Sequence, residues 1–148
     1  MLLDKETGAH VDDRDVSLFT PLCQFIWIQG NPLPLIYGLK PEVYREQGID
    51  LPLLKHLEAA DLISLAAAGY VKKKLGKHTR LFYFGQPTKI QFPGDANNQL
   101  DLGHVLLTDK GKMLARFCET RRNQAFYEYV VERWLRQGMA VSSILKRR

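Results

Sequence analysis

The chain has 148 residues, 45% hydrophobic and 25% charged, a balance that supports one packed domain and excludes disordered and fibrous classes. Its 21 Lys and Arg against 16 Asp and Glu give a net +5. The split matters more: residues 1–62 hold five bases and ten acids, and residues 63–148 hold the rest, −5 against +10, so the second half admits nucleic acid or an acidic partner.

In chain order, residues 1–13 are polar and read as a flexible N-terminal arm. Apolar residues recur at helical spacing over 15–29, which predicts a helix capped by Asp15 or Ser17, with Pro21 tolerated near its first turn and Gly30-Asn31-Pro32 as its stop. Pro32 and Pro34 impose an extended segment over 35–37. A short helix over 41–47 starts on Pro41 and stops at Gly48. Asp50 is the N-cap of the next helix, whose Leu51, Leu54 and Leu57 share a face; it ends near Asp61, and Leu62-Ile63 begins an extended piece. Residues 65–69 offer a rival helix end.

From Tyr70 the pattern changes to strands. Residues 70–74 are extended, and 81–84 and 89–92 form a hairpin about a turn over 85–88. Phe82, Phe84, Ile90 and Phe92 read as its inward face, with Tyr83 turned outward and available to stack on a single strand. A loop over 93–98 leads to a last strand over 102–107. Thr108 caps a helix carrying Met113, Leu114, Phe117 and Cys118, and a final helix spans 123–137. Gly138 ends it, and 139–148 read as a basic tail.

Several chemistries have no foothold. No apolar run reaches the ~18 residues of a membrane span, and no leader is visible at the N-terminus. Cys23 and Cys118 read as free buried thiols, which suits the cytoplasm. His10, His56, His78 and His104 share no metal-ligand spacing, and neither a phosphate-binding loop nor a nucleophile elbow occurs. The expectation is no metal, no cofactor and no enzymatic activity.

Two stretches belong together. Leu53-Leu54-Lys55-His56-Leu57-Glu58-Ala59-Ala60-Asp61-Leu62-Ile63 is a leucine helix ending in a tight turn. His104-Val105-Leu106-Leu107-Thr108-Asp109-Lys110-Gly111-Lys112-Met113-Leu114 is a strand followed by Leu-Thr-x-x-Gly. Together they resemble the winged helix-turn-helix, and the chain from 15 to 135 resembles the C-terminal winged-helix domain of a family of uncharacterised bacterial proteins. That resemblance implies an α+β fold: a winged helix-turn-helix over 14–138, with an extended β-wing and additional C-terminal helices. It makes the first stretch the recognition helix and the second the returning wing strand. Asp61 stands where the turn usually has Gly, and Asp tolerates the left-handed conformation that the turn demands. Gly111 permits close packing against the wing sheet.

The candidate sites follow. The recognition helix offers Lys55 and His56 beside Pro52 and Ala59, with Glu58 and Asp61 close by, which makes a poor reader of base edges. The wing carries Lys72, Lys73, Lys74, Lys77, His78 and Arg80, a cluster suited either to a phosphate backbone or to solvation alone. Strand alternation sends Lys72 and Lys74 to one face and Lys73 to the other. Phe126, Tyr127, Val130 and Trp134 spread apolar surface around the last helix, which calls for two partners. In MarR-like winged-helix regulators the terminal helices commonly make the dimer, so the resemblance implies a homodimer or a partner protein. The expected function is binding of double-stranded DNA through the wing, by a regulator or accessory factor. The alternative is a protein-interaction module that binds no DNA.

Overall fold

A computed structural model describes residues 2–3 and 10–143. Of the arm read over 1–13, residues 1 and 4–9 lie outside the described residues, while β1 (Leu2–Leu3) pairs antiparallel with β2 (His10–Val11). Asp12 opens α1 (Asp13–Cys23) by accepting the backbone N–H of Arg14. The helix stops well short of residue 29, and Pro21 falls in its last turn rather than its first. Past the stop the burial alternates: Phe25 and Trp27 are buried, while Ile28 is exposed. That period of two is a strand's, and Ile26–Gln29 is β3, folded back on β4 (Asn31–Pro34). Strand pairing overrides the helical spacing here.

The next elements follow the sequence closely. α2 (Glu42–Arg45) starts after Pro41, and α3 (Leu51–Ala59) starts on Asp50, whose carboxylate accepts the N–H of Leu53. Asp61 takes the left-handed conformation at φ 61° and turns the chain into β5 (Ile63–Leu65). Thr108 caps α4 (Asp109–Ala115): its hydroxyl accepts from Gly111 N–H and donates to the Asp61 carbonyl, tying the helix start to that turn. β10 (Val105–Leu107) pairs with β5, and the His104 N–H donates to the Ile36 carbonyl, so the extended chain at Leu35 and Ile36 lies against β10. The predicted strand over 102–107 is cut short because Gly103 sits at φ 88°, where an added Cβ would lie 2.7 Å from the Ile36 carbonyl oxygen. Before that break, β9 (Asn98–Asp101), which starts on the last residue of the predicted loop, pairs with β6 (Val71–Leu75).

The segment between β5 and β10 does not stand out as a free wing. β7 (His78–Tyr83) and β8 (Gln86–Gln91) form the expected hairpin, about a tighter turn in which Phe84 and Gly85 both have positive φ, the primed geometry that suits strand twist. β7 also pairs with β3, at Ile28 and Phe82. β11 (Ala140–Ser143), read as part of a basic tail, pairs with β8. The product is a five-stranded antiparallel sheet in the order β11-β8-β7-β3-β4.

α5 (Gln124–Arg136), capped by the Asn123 side chain, covers one face of this sheet. Trp27 stacks with Tyr83 at 5.0 Å and with Tyr127 at 5.6 Å, and Trp134 meets it edge-on at 5.2 Å. The other side of α5 meets the helical half of the molecule, with Tyr44 of α2 against Tyr129 at 5.8 Å and Phe126 at 6.0 Å. Both partners that the apolar helix requires are therefore supplied by its own chain. The expected dimer residues Phe126, Val130 and Trp134 have 0% exposure, and Tyr127 is stacked on Trp27, so this surface is spent within the monomer. The fold is α+β.

Gly111 tests the packing of α4. A Cβ there would lie 2.0 Å from the Leu62 carbonyl oxygen, which is backbone and has little room to move. Gly111→Ala is expected to cost about 2–3 kcal/mol, lowering Tm by about 5–10 °C. Gly76, with nothing within 4 Å, is the control whose Ala variant leaves Tm unchanged. Thermal denaturation followed by circular dichroism checks both.

Candidate nucleic-acid interface

The predicted site residues separate into tethered and free groups. His56 is held by Asp15 of α1 at 2.9 Å, so its ring serves the α1–α3 contact rather than an open groove. Lys72 donates to Gln29 Oε1 at 2.6 Å, Lys77 meets Asp95 at 3.3 Å, and His78 pairs with Gln91 at 3.2 Å. Lys55, Lys73, Lys74 and Arg80 are exposed, and no carboxylate pairs with them among the described residues. The expected alternation of the wing lysines fails. The register of β6 slips between Lys72 and Leu75, Lys74 is left-handed at φ 60°, and Lys73 and Lys74 both face solvent. A bulge that turns two consecutive lysines outward is a costly backbone for a non-glycine residue.

The second basic locus lies on the outer face of the five-stranded sheet, away from α5. Arg80 stands directly opposite Lys89, and no acid among the described residues intervenes. Like charges in cross-strand register repel. Next to this pair the face becomes aromatic: Phe82 is 38% exposed and Phe84 45%, whereas Tyr83 is fully buried. The expected orientation of the hairpin aromatics is therefore inverted for these three residues, while Ile90 and Phe92 do point inward. Tyr83 is drawn in by its hydroxyl, which donates to the Gln24 carbonyl at 2.6 Å and accepts from Asn123 N–H at 3.0 Å.

Phe82 and Phe84 line a groove of about 630 Å³ between the sheet and α4. Ile28, exposed by 46%, belongs to the same wall, and Lys112 and Arg116 of the α4 segment stand on the rim with Asp109. Sequence reasoning missed Lys89 and Lys112, because only the sheet register and the placement of α4 bring them to the outer face. A second groove of about 490 Å³ separates α3 from the β5–β10 pair and is lined by Leu39, Leu51, Leu65 and Ala66, with Lys55 and Glu58. Glu58 accepts the Leu65 N–H, so this acid ties α3 to β5 and lies on the helix whose face the sequence assigned to DNA. Leu51, 51% exposed, dominates the rest of that face.

Comparison with known proteins finds no matching family model, no matching curated protein and no matching solved structure. The chemistry of the grooves is therefore read from their residues. Among the described residues, no group of His, Cys, Asp and Glu is arranged to hold a metal ion, and no helix is long and apolar enough to cross a membrane.

Cys23 and Cys118, distant in sequence, meet at the end of the larger groove. A hydrogen bond from Cys23 and a weaker one from the Thr20 hydroxyl, 3.9 Å away, hold the Cys118 thiol at about 7 against partial burial that opposes ionisation. The same contact with Cys118, together with burial, raises Cys23. Iodoacetamide is expected to label Cys118 first, at a rate rising through about pH 7, while Cys23 stays unmodified in the folded protein. Peptide mapping across pH checks this; an inflection near the ordinary thiol value would contradict it.

Proposed function

We propose that this protein is a winged-helix nucleic-acid-binding protein that holds duplex DNA by its phosphates, through strand-borne cations and not through its recognition helix. The winged-helix reading is supported by the α1–α2–α3 group and by the small sheet in which β10 lies between β5 and the extended chain at Leu35 and Ile36. The observation that carries the binding reading is the opposition of Arg80 and Lys89. Two unpaired cations in direct register destabilise the sheet unless an anion neutralises them, and Lys73 and Lys74 add a second exposed pair on a bulge. A polyanion with regularly spaced charge satisfies both. Contacts of this kind position a protein on DNA and carry no sequence information, so the reading entails weak sequence choice.

A second reading, docking of a partner protein, is favoured by the groove beside α3, where exposed Leu51 and the neighbouring Leu39 and Leu65 suit an apolar side chain better than a base edge. In that reading the cations contribute only solubility.

A salt titration separates the two. Duplex affinity is expected to fall with salt, and the slope of log K against log salt is expected to shrink by about 0.9 for each cation removed from a phosphate. The triple variant Lys73→Gln, Lys74→Gln, Arg80→Gln then flattens the slope by about 2.7, and Lys55→Gln changes it little. Duplex binding that is absent at low salt, or a slope that the triple variant leaves unaltered, would overturn the nucleic-acid reading.

A further inference from the structure

We infer that the outer face of the five-stranded sheet is a stacking platform for single-stranded nucleic acid. This rests on the nucleic-acid reading above and goes beyond it, because a duplex keeps its base faces hidden and uses only the cations.

Three observations converge on the face. The first is the pair of exposed rings. Large aromatic side chains are normally drawn into a core, and the inner face of this sheet takes Trp27, Tyr83 and Trp134, yet Phe82 and Phe84 stay outside. Both rings are reachable from one groove, together with Ile28 and Met113. The second is the charge around them. Arg80 lies two residues before Phe82 on the same strand face, Lys89 lies opposite Arg80, and Lys112 and Arg116 stand across the groove, against one acid, Asp109. An aromatic floor between two rows of cations is the arrangement by which proteins hold unpaired strands: bases stack on the rings while the backbone runs along the charges. The third is geometry. The groove is an open trough between the sheet and α4, walled on one side by strand residues, which suits a base laid against the rings better than a compact ligand enclosed on all sides.

An apolar peptide would use the rings and leave Arg80, Lys89, Lys112 and Arg116 without partners. A free phosphate would use the cations and leave the rings bare. A single strand satisfies both sets at once, and since every base has a π-face, no particular sequence is selected.

The experiment compares fluorescence anisotropy of a labelled oligothymidylate with that of a labelled duplex, at matched salt, using the whole chain. The expected result is that Phe82→Leu with Phe84→Leu, which keeps apolar bulk and so preserves the fold, weakens single-strand binding at least about tenfold and leaves duplex binding within about twofold. Arg80→Gln with Lys89→Gln weakens both. If the Leu variants bind the oligothymidylate as well as the unmodified protein does, the platform is wrong while the duplex reading stands. If the unmodified protein binds neither probe at low salt, the nucleic-acid reading fails and the platform with it. Circular dichroism confirms that the variants remain folded.

Discussion

The structure depends on one contact, the burial of Trp27 between the sheet and α5. Its indole stacks on Tyr83 within the sheet and on Tyr127 of the helix, with Trp134 closing the edge. Aromatic pairs in these geometries contribute beyond their buried area, and removing a fully buried indole costs about 3–5 kcal/mol. The same cluster reaches outward in sequence. Tyr83 holds the end of α1 through the Gln24 carbonyl and the start of α5 through Asn123. Arg122 lies over the Tyr127 ring at 4.3 Å and marks the edge of the cluster. One side chain on β3 thus links the helical half, the long insertion between β5 and β10, and the C-terminal helix into one core.

That contact decides where function can reside. By sealing the inner face, α5 spends Phe126, Val130 and Trp134 within the monomer and leaves Phe82 and Phe84 exposed on the other face of the sheet. Of the insertion that would form a projecting wing, β7 and β8 are part of the five-stranded sheet and β6 pairs with β9 apart from it, so its cations are spread over two sheets, not gathered at a tip. α3, the reader of bases in a winged helix, keeps a neutral and partly acidic face, with His56 held by Asp15 and Glu58 held by the Leu65 N–H. Charge and aromatic surface are both concentrated on strands. In the proposed reading that distribution entails sequence-independent binding, with strand-borne cations placed for phosphates and exposed rings for base faces.

The parts of this account that were legible in the sequence are those governed by local chemistry. Asp50 and Thr108 announce their caps by side-chain type, Asp61 its left-handed turn, and Gly111 its close approach to the neighbouring backbone. What was not legible depends on partners far away in the chain. Residues 26–29 match a helical period and a strand alternation alike, and pairing with β4 and β7 decides between them. Leu81-Phe82-Tyr83-Phe84 is apolar throughout and has no phase of its own. Its orientation is set by the two hydrogen bonds of the Tyr83 hydroxyl and by Trp27, none of which is near in sequence. The slipped register that exposes Lys73 and Lys74 has no signature in a run of three lysines. The second partner of α5 proved to be Tyr44, eighty residues and more upstream, and for that reason it resembled a vacancy for another chain.

The central claim is that the outer sheet face, and not α3, meets the ligand. Hydroxyl-radical footprinting of the chain with and without oligothymidylate tests it residue by residue. Protection of Phe82, Phe84 and Met113, with Leu51 unchanged, is the expected result; protection centred on Leu51 and Pro52, with Phe82 and Phe84 as reactive as in the free protein, would contradict it.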